Sequence, residues 1–496
     1  MRLRILTLLP VLFACGCALG PDYERPDVSA PSAYEQELDS GETIANLQWW
    51  ELFQDEELQR LITIAVQESQ NVAIAAARVE EARARYGFVR ADLFPRVDGR
   101  AGAQRGNLAE QILPGISGVG IQEGYTLAAD LSWEVDIWGK LRRSTQAARS
   151  ELLATQYGEN AVIISLVADV ASAYLLLRDL DAQREISMRT QQGRLDSLEI
   201  IQARFDKGTV PLLDVNQAEI EEVDATVRLV ETERAIIQTE NLISVLLGRN
   251  PGRIARGVSL EDQVFPPDIP AGLPSELLQR RPDVLAAEQQ LAAQTARIGV
   301  AKALRWPSLS LTGSLGLATN DISDLLDSDS KIWTVGADLF GPIFDSGKLK
   351  RQVEIEVART EQLLNQYELT VLQSLREVDD ALAGIRTYRD ESMARRRQVA
   401  AARSASDLSW ARYNGGVASY LEVLETQRAL FRSELESSIT YRQQLVSIVE
   451  LYKALGGGWD YTGATPPPML PPGGVPVSPT GSTPATGTQQ DTGAMP

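Results

Sequence analysis

Few residues in this chain have types and spacings suited to chemistry, and those few sit at its ends and turns. None of the 496 residues is histidine, which removes the commonest general acid/base and the commonest metal ligand. The two cysteines, Cys15 and Cys17, follow Arg2, Arg4 and an apolar run from Ile5 to Ala14. That order is the n-region and h-region of a secretory signal, and the run is too short to cross a bilayer as a helix. A cysteine just past such a run, preceded by small residues, is a site for acylation. Leu12-Phe13-Ala14-Cys15 and Ala14-Cys15-Gly16-Cys17 both partly fit; a plain cleaved signal with incidental cysteines is the competing reading. One cysteine carrying several acyl chains suffices for stable anchoring. Far along the chain, Glu422 and Glu425 stand three apart and so share one helix face. The stretch from Gly341 to Lys348 has the wrong glycine spacing for a phosphate loop, and Leu349 replaces the required Ser or Thr. No nucleophile–base constellation is visible, so neither an enzyme nor a cofactor is expected. A net charge of -19 argues against a nucleic-acid partner.

An internal repeat must position these residues. Ala203-Arg204-Phe205-Asp206-Lys207-Gly208 matches Ala411-Arg412-Tyr413-Asn414-Gly415-Gly416 at a shift of 208, and Gly139-Lys140-Leu141 matches Gly347-Lys348-Leu349 at the same shift. Upstream, Phe94-Pro95 matches Trp306-Pro307 at a shift of 212. A four-residue change between two constant shifts is what one longer hairpin in the first half would produce. The expected organisation is a signal at 1–16, an N-terminal segment at 17–49, repeats at 50–250 and 262–458, and a disordered Pro/Gly/Thr-rich tail at 462–496.

Each repeat follows one plan. A helix (Asn71 to Ala91, then Asp283 to Ala303) closes at Phe94-Pro95 or Trp306-Pro307. Two alternating segments follow, with Leu127, Ala129, Leu131, Trp133 and Val135, or Trp333, Val335, Ala337 and Leu339, on one side of each strand. Period-two alternation over about ten residues is the strand signature of an outer-membrane barrel. Two soluble hairpins with one buried face would read the same locally. The segment Arg96 to Arg105, charged and glycine-containing, is the weakest strand. After Gly139 and Gly347 come proline-free helices, Lys140 to Lys207 and Lys348 to Asn414. At ~1.5 Å per residue each spans about 100 Å, a length suited to a coiled-coil-like shaft and not to a globular domain. The returning helices, Pro211 to Leu247 and Val417 to Leu455, are shorter, and the first helix of each repeat is long enough to stack end-on and make up much of the difference.

Four membrane strands cannot close a barrel, and an open edge in lipid leaves backbone groups unsatisfied. Two chains give eight strands, a barrel filled by its own side chains; three give twelve, with room for a lumen. The fold class expected is therefore a mixed α and β membrane protein, a trimeric twelve-stranded barrel continued by a long α-helical barrel.

With these elements in place, the residues resemble the TolC-like outer membrane factor family, in its lipoprotein branch serving RND-type pumps. The motifs are Cys17-Ala18-Leu19-Gly20-Pro21-Asp22-Tyr23-Glu24-Arg25-Pro26, Leu277-Leu278-Gln279-Arg280-Arg281-Pro282-Asp283-Val284, and Leu451-Tyr452-Lys453-Ala454-Leu455-Gly456-Gly457-Gly458-Trp459. The resemblance spans residue 17 to about 461 and favours Cys17 over Cys15 as the lipidated residue. It implies a homotrimer in the Gram-negative outer membrane, reaching through the periplasm to an adaptor protein and an inner-membrane RND transporter. Arg280-Arg281-Pro282-Asp283 is read physically as a helix start, with proline at the first helical position.

The same resemblance assigns roles to the two tips. Lys207, Gly208, Thr209 and Val210, with Gly415, Gly416 and Val417, are expected to dock the adaptor. Glu422 and Glu425 match acidic positions that line the closed entrance, Tyr413 matches an aromatic at the constriction, and Asp214 is a weaker candidate for the same lining. This chain departs from the pattern by carrying Glu in place of Asp, and Ala418 where some members have a gate-closing arginine. The expected mechanism is a passive duct, closed at the tip and opened by an iris-like movement on docking. A protein-secretion duct and a lipid-anchored periplasmic coiled-coil scaffold are the alternatives; Trp133, Trp333 and Phe340 on the strands speak against the scaffold.

Overall fold

A computed structural model describes residues 18–28, 31, 53–107, 121–264 and 279–457. All of these belong to one compact unit; the second unit, 460–496, and the tail expected at 462–496 lie outside the described residues, as do Cys15 and Cys17. The order of elements is α1 (Glu56–Glu68), α2 (Gln70–Ala91), β1 (Arg96–Asn107), β2 (Ile121–Val135), α3 (Lys140–Asp206), α4 (Leu212–Leu246), α5 (Pro282–Ala303), β3 (Ser308–Thr319), β4 (Lys331–Phe340), α6 (Lys348–Asn414) and α7 (Tyr420–Ala454).

The strands form one antiparallel sheet in the order β1-β2-β3-β4. Register explains why the charged β1 belongs there. Leu131 sits opposite Val97 and Gly313, Gly313 opposite Val335, and Leu315 opposite Ala129 and Trp333. The pleat sends these apolar side chains to one face, where Trp333, Val335, Leu339, Leu315 and Val97 are all exposed. The opposite face collects Arg96, Asp98, Arg100, Asp130, Ser132, Ser310, Thr312 and Ser314. Arg100 pairs with Asp130 at 2.6 Å on that polar side. One face is apolar over most of its length, with Arg105, Glu123 and Lys331 only at one end, and the other is polar, which suits a boundary between lipid and water.

Helix boundaries have local causes. Asp136 accepts from the N–H groups of Leu141 and Arg142, and Asp345 from those of Gly347 and Leu349, so a carboxylate opens each 67-residue helix. Pro282 is the first residue of α5, and Arg281 before it donates to the Ala454 carbonyl at the end of α7. Gly456 lies against Arg280 and Arg281, and Gly248 against Glu68 and Ser69. The end-on stacking expected from length therefore occurs in both halves, α4 onto the α1–α2 junction and α7 onto α5. Gly248 and Gly456 have positive φ, +73° and +68°, and at Gly248 the Glu68 carbonyl is too close for a Cβ. α7 begins at Tyr420, three residues later than expected from Val417, because Ser419 holds an extended conformation at its start.

The helix α1 was not anticipated. Asp55 caps it by accepting from Glu57 and Leu58 N–H, and Leu58, Leu61, Ile62 and Ala65 bury against Tyr174, Leu177, Leu445 and Tyr452. Asp55 is fully buried, and its other oxygen accepts from the Tyr174 hydroxyl at 2.9 Å, Gln263 at 2.8 Å and Val258 N–H at 3.2 Å. Gly257 packs directly on this carboxylate. One apolar stretch of α3 is long enough to cross a membrane by composition, but more than half of it is buried in this core.

Replacing Asp55 with Ala strands the Tyr174 hydroxyl and the Gln263 amide, and is expected to cost about 2–4 kcal/mol. Thermal unfolding in detergent checks this; a change within ~0.5 kcal/mol, typical of a surface position, would show that the carboxylate does not hold α1 to α3.

Candidate gate at the helical tips

Each long helix turns back through the same five residues of backbone geometry. Thr209 N–H donates to the Arg204 carbonyl and Val417 N–H to the Arg412 carbonyl, both at 3.0 Å. Gly208 and Gly416 each take φ +71°, the left-handed residue that closes a helix in this way. Gly415, by contrast, has an ordinary φ of -77°. Lys207, Gly208, Thr209, Gly415, Gly416 and Val417 are exposed and Val210 is half-buried. The expected docking residues therefore lie together at one end of the molecule. Arg204 joins the two turns, donating to Asn414 at 2.9 Å and lying 4.8 Å above the Tyr413 ring.

Above the turns the two hairpins share a core of Ile201, Val215, Ala218, Tyr413, Tyr420, Val423 and Leu424. Tyr413 stands 5.5 Å from Tyr420 and 5.9 Å from Trp410. Burial, with Tyr413, Glu221 and Asp214 nearby, pushes the Tyr420 hydroxyl up to about 12. Among the described residues the buried Tyr413 hydroxyl meets no hydrogen-bond partner.

Glu422 and Glu425 are both exposed, at 42% and 64%, and both are paired. Glu422 meets Arg412 at 2.9 Å, and Glu425 meets Arg428 at 3.0 Å. Arg428 also reaches Glu221 on α4 at 2.5 Å, and Glu221, nearly buried, holds Arg194 of α3 at 3.1 Å. Arg194 in turn lies 5.2 Å over Phe431. A buried carboxylate between two guanidiniums ties the first hairpin to α7. Its hydrogen bond holds the Arg428 charge more firmly than usual. Sequence spacing gave no sign of this cluster. Glu221 is one of eight acidic residues on α4, of which only it and Glu240 are buried. Asp214 is half-buried beside the same core, and burial raises its carboxyl above the ordinary value.

The architecture is that of an outer-membrane channel protein: a sheet with one apolar face, continued by helices about 100 Å long that end in an ion-paired tip. The outer membrane efflux protein family model matches residues 26–249 and 273–457, and the chain belongs to that family. It is 34% identical over 470 residues to the solvent efflux pump outer membrane protein SrpC of Pseudomonas putida, covering 92% of this chain and 99% of SrpC. Among solved structures it is similar to the outer-membrane channel OprN, with TM-score 0.84, 28% identity and coverage of 89% of this chain and 100% of OprN. The open state of the Neisseria gonorrhoeae MtrE outer membrane channel aligns with TM-score 0.80 and 28% identity, over 89% of this chain and 98% of MtrE. The protein is thus an outer-membrane efflux channel, a transporter and not an enzyme.

A raised Asp214 pKa has a definite sign in stability. The folded chain keeps this proton to higher pH than the unfolded chain, so stability falls as pH rises from 3.8 to the raised value, and the loss persists above it. Asp214→Asn is expected to match or exceed the parent in unfolding temperature near pH 7, with the parent recovering at acid pH. Parallel profiles between ~pH 3 and ~pH 7 would show that burial does not act on this group.

Proposed function

We propose that three copies of this chain close a twelve-stranded barrel in the outer membrane and a helical tunnel below it, forming the passive exit duct of a tripartite RND-type pump. The observation that carries this reading is the pair of free edges on one chain. β1 and β4 are both edge strands. Among the hairpin helices, α3 packs on α4 and α7, and α7 packs on α3 and α6, leaving α4 and α6 each with one open flank. Every layer has one open side on the first half and one on the second, which is the condition for a closed ring of head-to-tail copies. Antiparallel order is preserved when β4 of one copy meets β1 of the next.

In this reading the tip is the gate and is shut by the contacts within each chain. Swinging α6 and α7 outward separates them from α3 and α4, breaking the Glu221–Arg428 ion pair and the Arg204–Asn414 hydrogen bond. Glu422 and Glu425 in three copies give two rings of carboxylates, whose mutual repulsion the Arg412 and Arg428 partners offset. Lys207 to Val210 and Gly415 to Val417 are the surface offered to the adaptor. Relatives carry names for solvent, toluene, antibiotic and cation efflux, in keeping with a cargo chosen by the partner pump. Anchoring is assigned to Cys17, with residues 1–16 removed as signal. It is supported by the packing of Ala18 against Gly139 at the foot of β2, and by Leu19 N–H donating to the Trp138 carbonyl at 3.0 Å. The two repeats, 50–250 and 262–458, are the pseudo-equivalent halves of each copy.

Reconstituted Glu422→Ala/Glu425→Ala channels are expected to leak more current and to lose cation preference in single-channel recordings. Unchanged conductance and selectivity would remove these two residues from the gate. Separately, Cys17→Ser should abolish metabolic labelling by palmitate, while Cys15→Ser in the same assay should leave it intact if Cys17 is the anchor.

A further inference from the structure

The duplication leaves one arrangement on a single half. Between α3 and α6, beside residues 259–261, lies a cleft of about 650 Å³ floored by Glu434 and Tyr441 of α7. At the 208-residue repeat shift, Arg396, Arg403, Glu434 and Tyr441 of this cleft fall on Met188, Leu195, Thr226 and Glu233. A feature required by the plan common to both halves would occur twice. This one occurs once, so the shared fold does not call for it. In the floor, nearly buried Glu434 accepts from Arg189 at 2.9 Å and from Arg403 at 2.7 Å, one carboxylate between two guanidiniums.

Tyr441 is flanked by opposite charges that do not meet. The Arg396 guanidinium lies 5.5 Å from the centre of its ring, a cation–π position that limits where the side chain swings. The Tyr441 hydroxyl donates to the Glu261 and Gln263 carbonyls at 3.4 and 3.3 Å, which puts Glu261 at the other end of the ring. Burial raises this hydroxyl above its ordinary value, with Arg396 acting against the rise and Glu261 adding to it. Glu185 of α3 lines the same cleft, and Ile186, Leu260 and Val399 supply apolar wall. Arg396, Glu185 and Glu261 are all exposed, and none of them forms an ion pair with any other described residue.

We propose that this cleft is a binding site for a short zwitterionic peptide, with the peptide's carboxylate on Arg396 and its ammonium on Glu185 and Glu261. The cleft lies within one chain, so the inference does not depend on the number of copies. Arginine presents forked donors that match both oxygens of a carboxylate. Arg189 and Arg403 exceed the single charge of Glu434 and add to the attraction. Two fixed opposite charges held apart across an aromatic ring favour a ligand that carries both and disfavour one that lacks either. The volume is that of a small-ligand pocket. A helix about 10 Å across, laid along the roughly 17 Å of α3 between Arg178 and Arg189, would fill roughly twice as much space. Beneath an outer membrane this chemistry has two sources, free peptides and the peptide arms of the cell wall.

Calorimetric titration of the full-length protein in detergent with the tripeptide alanyl-glutamyl-diaminopimelate tests this. The parent should bind, and Arg396→Ala and Glu185→Gln/Glu261→Gln should each weaken binding about tenfold. All three side chains are exposed, so the unfolding temperature should stay that of the parent. Amidating the peptide's carboxylates should weaken its binding to the parent and remove the difference between the parent and Arg396→Ala. Sedimentation with isolated cell-wall sacculi separates the two sources. The parent, and not Arg396→Ala, pellets with them if the wall is the ligand; binding of the soluble tripeptide alone assigns the site to free peptides. No binding of the tripeptide by the parent, or equal binding by the parent and both variants, overturns the proposal. A helical peptide bound in its stead overturns it in favour of a protein partner.

Discussion

Backbone groups at a strand edge have nowhere to go in hydrocarbon, and this constraint organises the whole molecule. β1 and β4 carry such edges at the two sides of a four-stranded sheet. The sheet cannot satisfy them by curling on itself, because four strands enclose no usable interior. Partners must come from outside the chain, and everything beneath the sheet is built to the same requirement. The long helices are arranged as α4, α3, α7 and α6 side by side, open at both ends of the row. The chain thus has open sides in the sheet and in the row of helices beneath it, the feature on which the proposed ring of copies rests.

The duplication makes such a segment economical to encode. One helix–strand–strand–hairpin plan is laid down twice, so contacts between the halves resemble those required between copies. The resemblance is not complete, and the differences are informative. Enclosed interfaces rely on mixed polar clusters such as Asp179 with Ser438 and Arg442, or Glu434 with Arg189 and Arg403. The outer helix α4 instead carries eight acidic residues against two arginines.

At the far end, the tip contrasts with the rigid core near α1. There, Asp55 and its five donors are gathered among large apolar side chains. The tip is held by few contacts, several of them half-exposed: Arg428 with Glu221, Arg412 with Glu422, and Arg204 with Asn414. Exposed ion pairs contribute little stability each, so the end proposed as the gate is tied across its surface by the weaker kind of polar contact.

Much of this was readable in the amino-acid order, for stated physical reasons. Alternation of Leu127 to Val135 and Trp333 to Leu339 marks strands because successive side chains point to opposite faces. The absence of proline from Lys140 to Lys207 permits one uninterrupted helix, and the repeat at Gly208 and Gly416 locates both turns. Spacing and resemblance pointed to Glu422 and Glu425 as a candidate acidic lining. Pairing was not legible. Nothing local indicates that Glu221 is buried between Arg194 and Arg428, that Asp55 gathers Tyr174, Val258 and Gln263, or that Arg96, Asp98 and Arg100 of β1 turn to the polar face. Those outcomes depend on which helix or strand lies alongside which, and residues distant in sequence become neighbours only once the chain has folded. Periodicity thus determined the elements and their order, while tertiary packing alone decided which carboxylate meets which arginine.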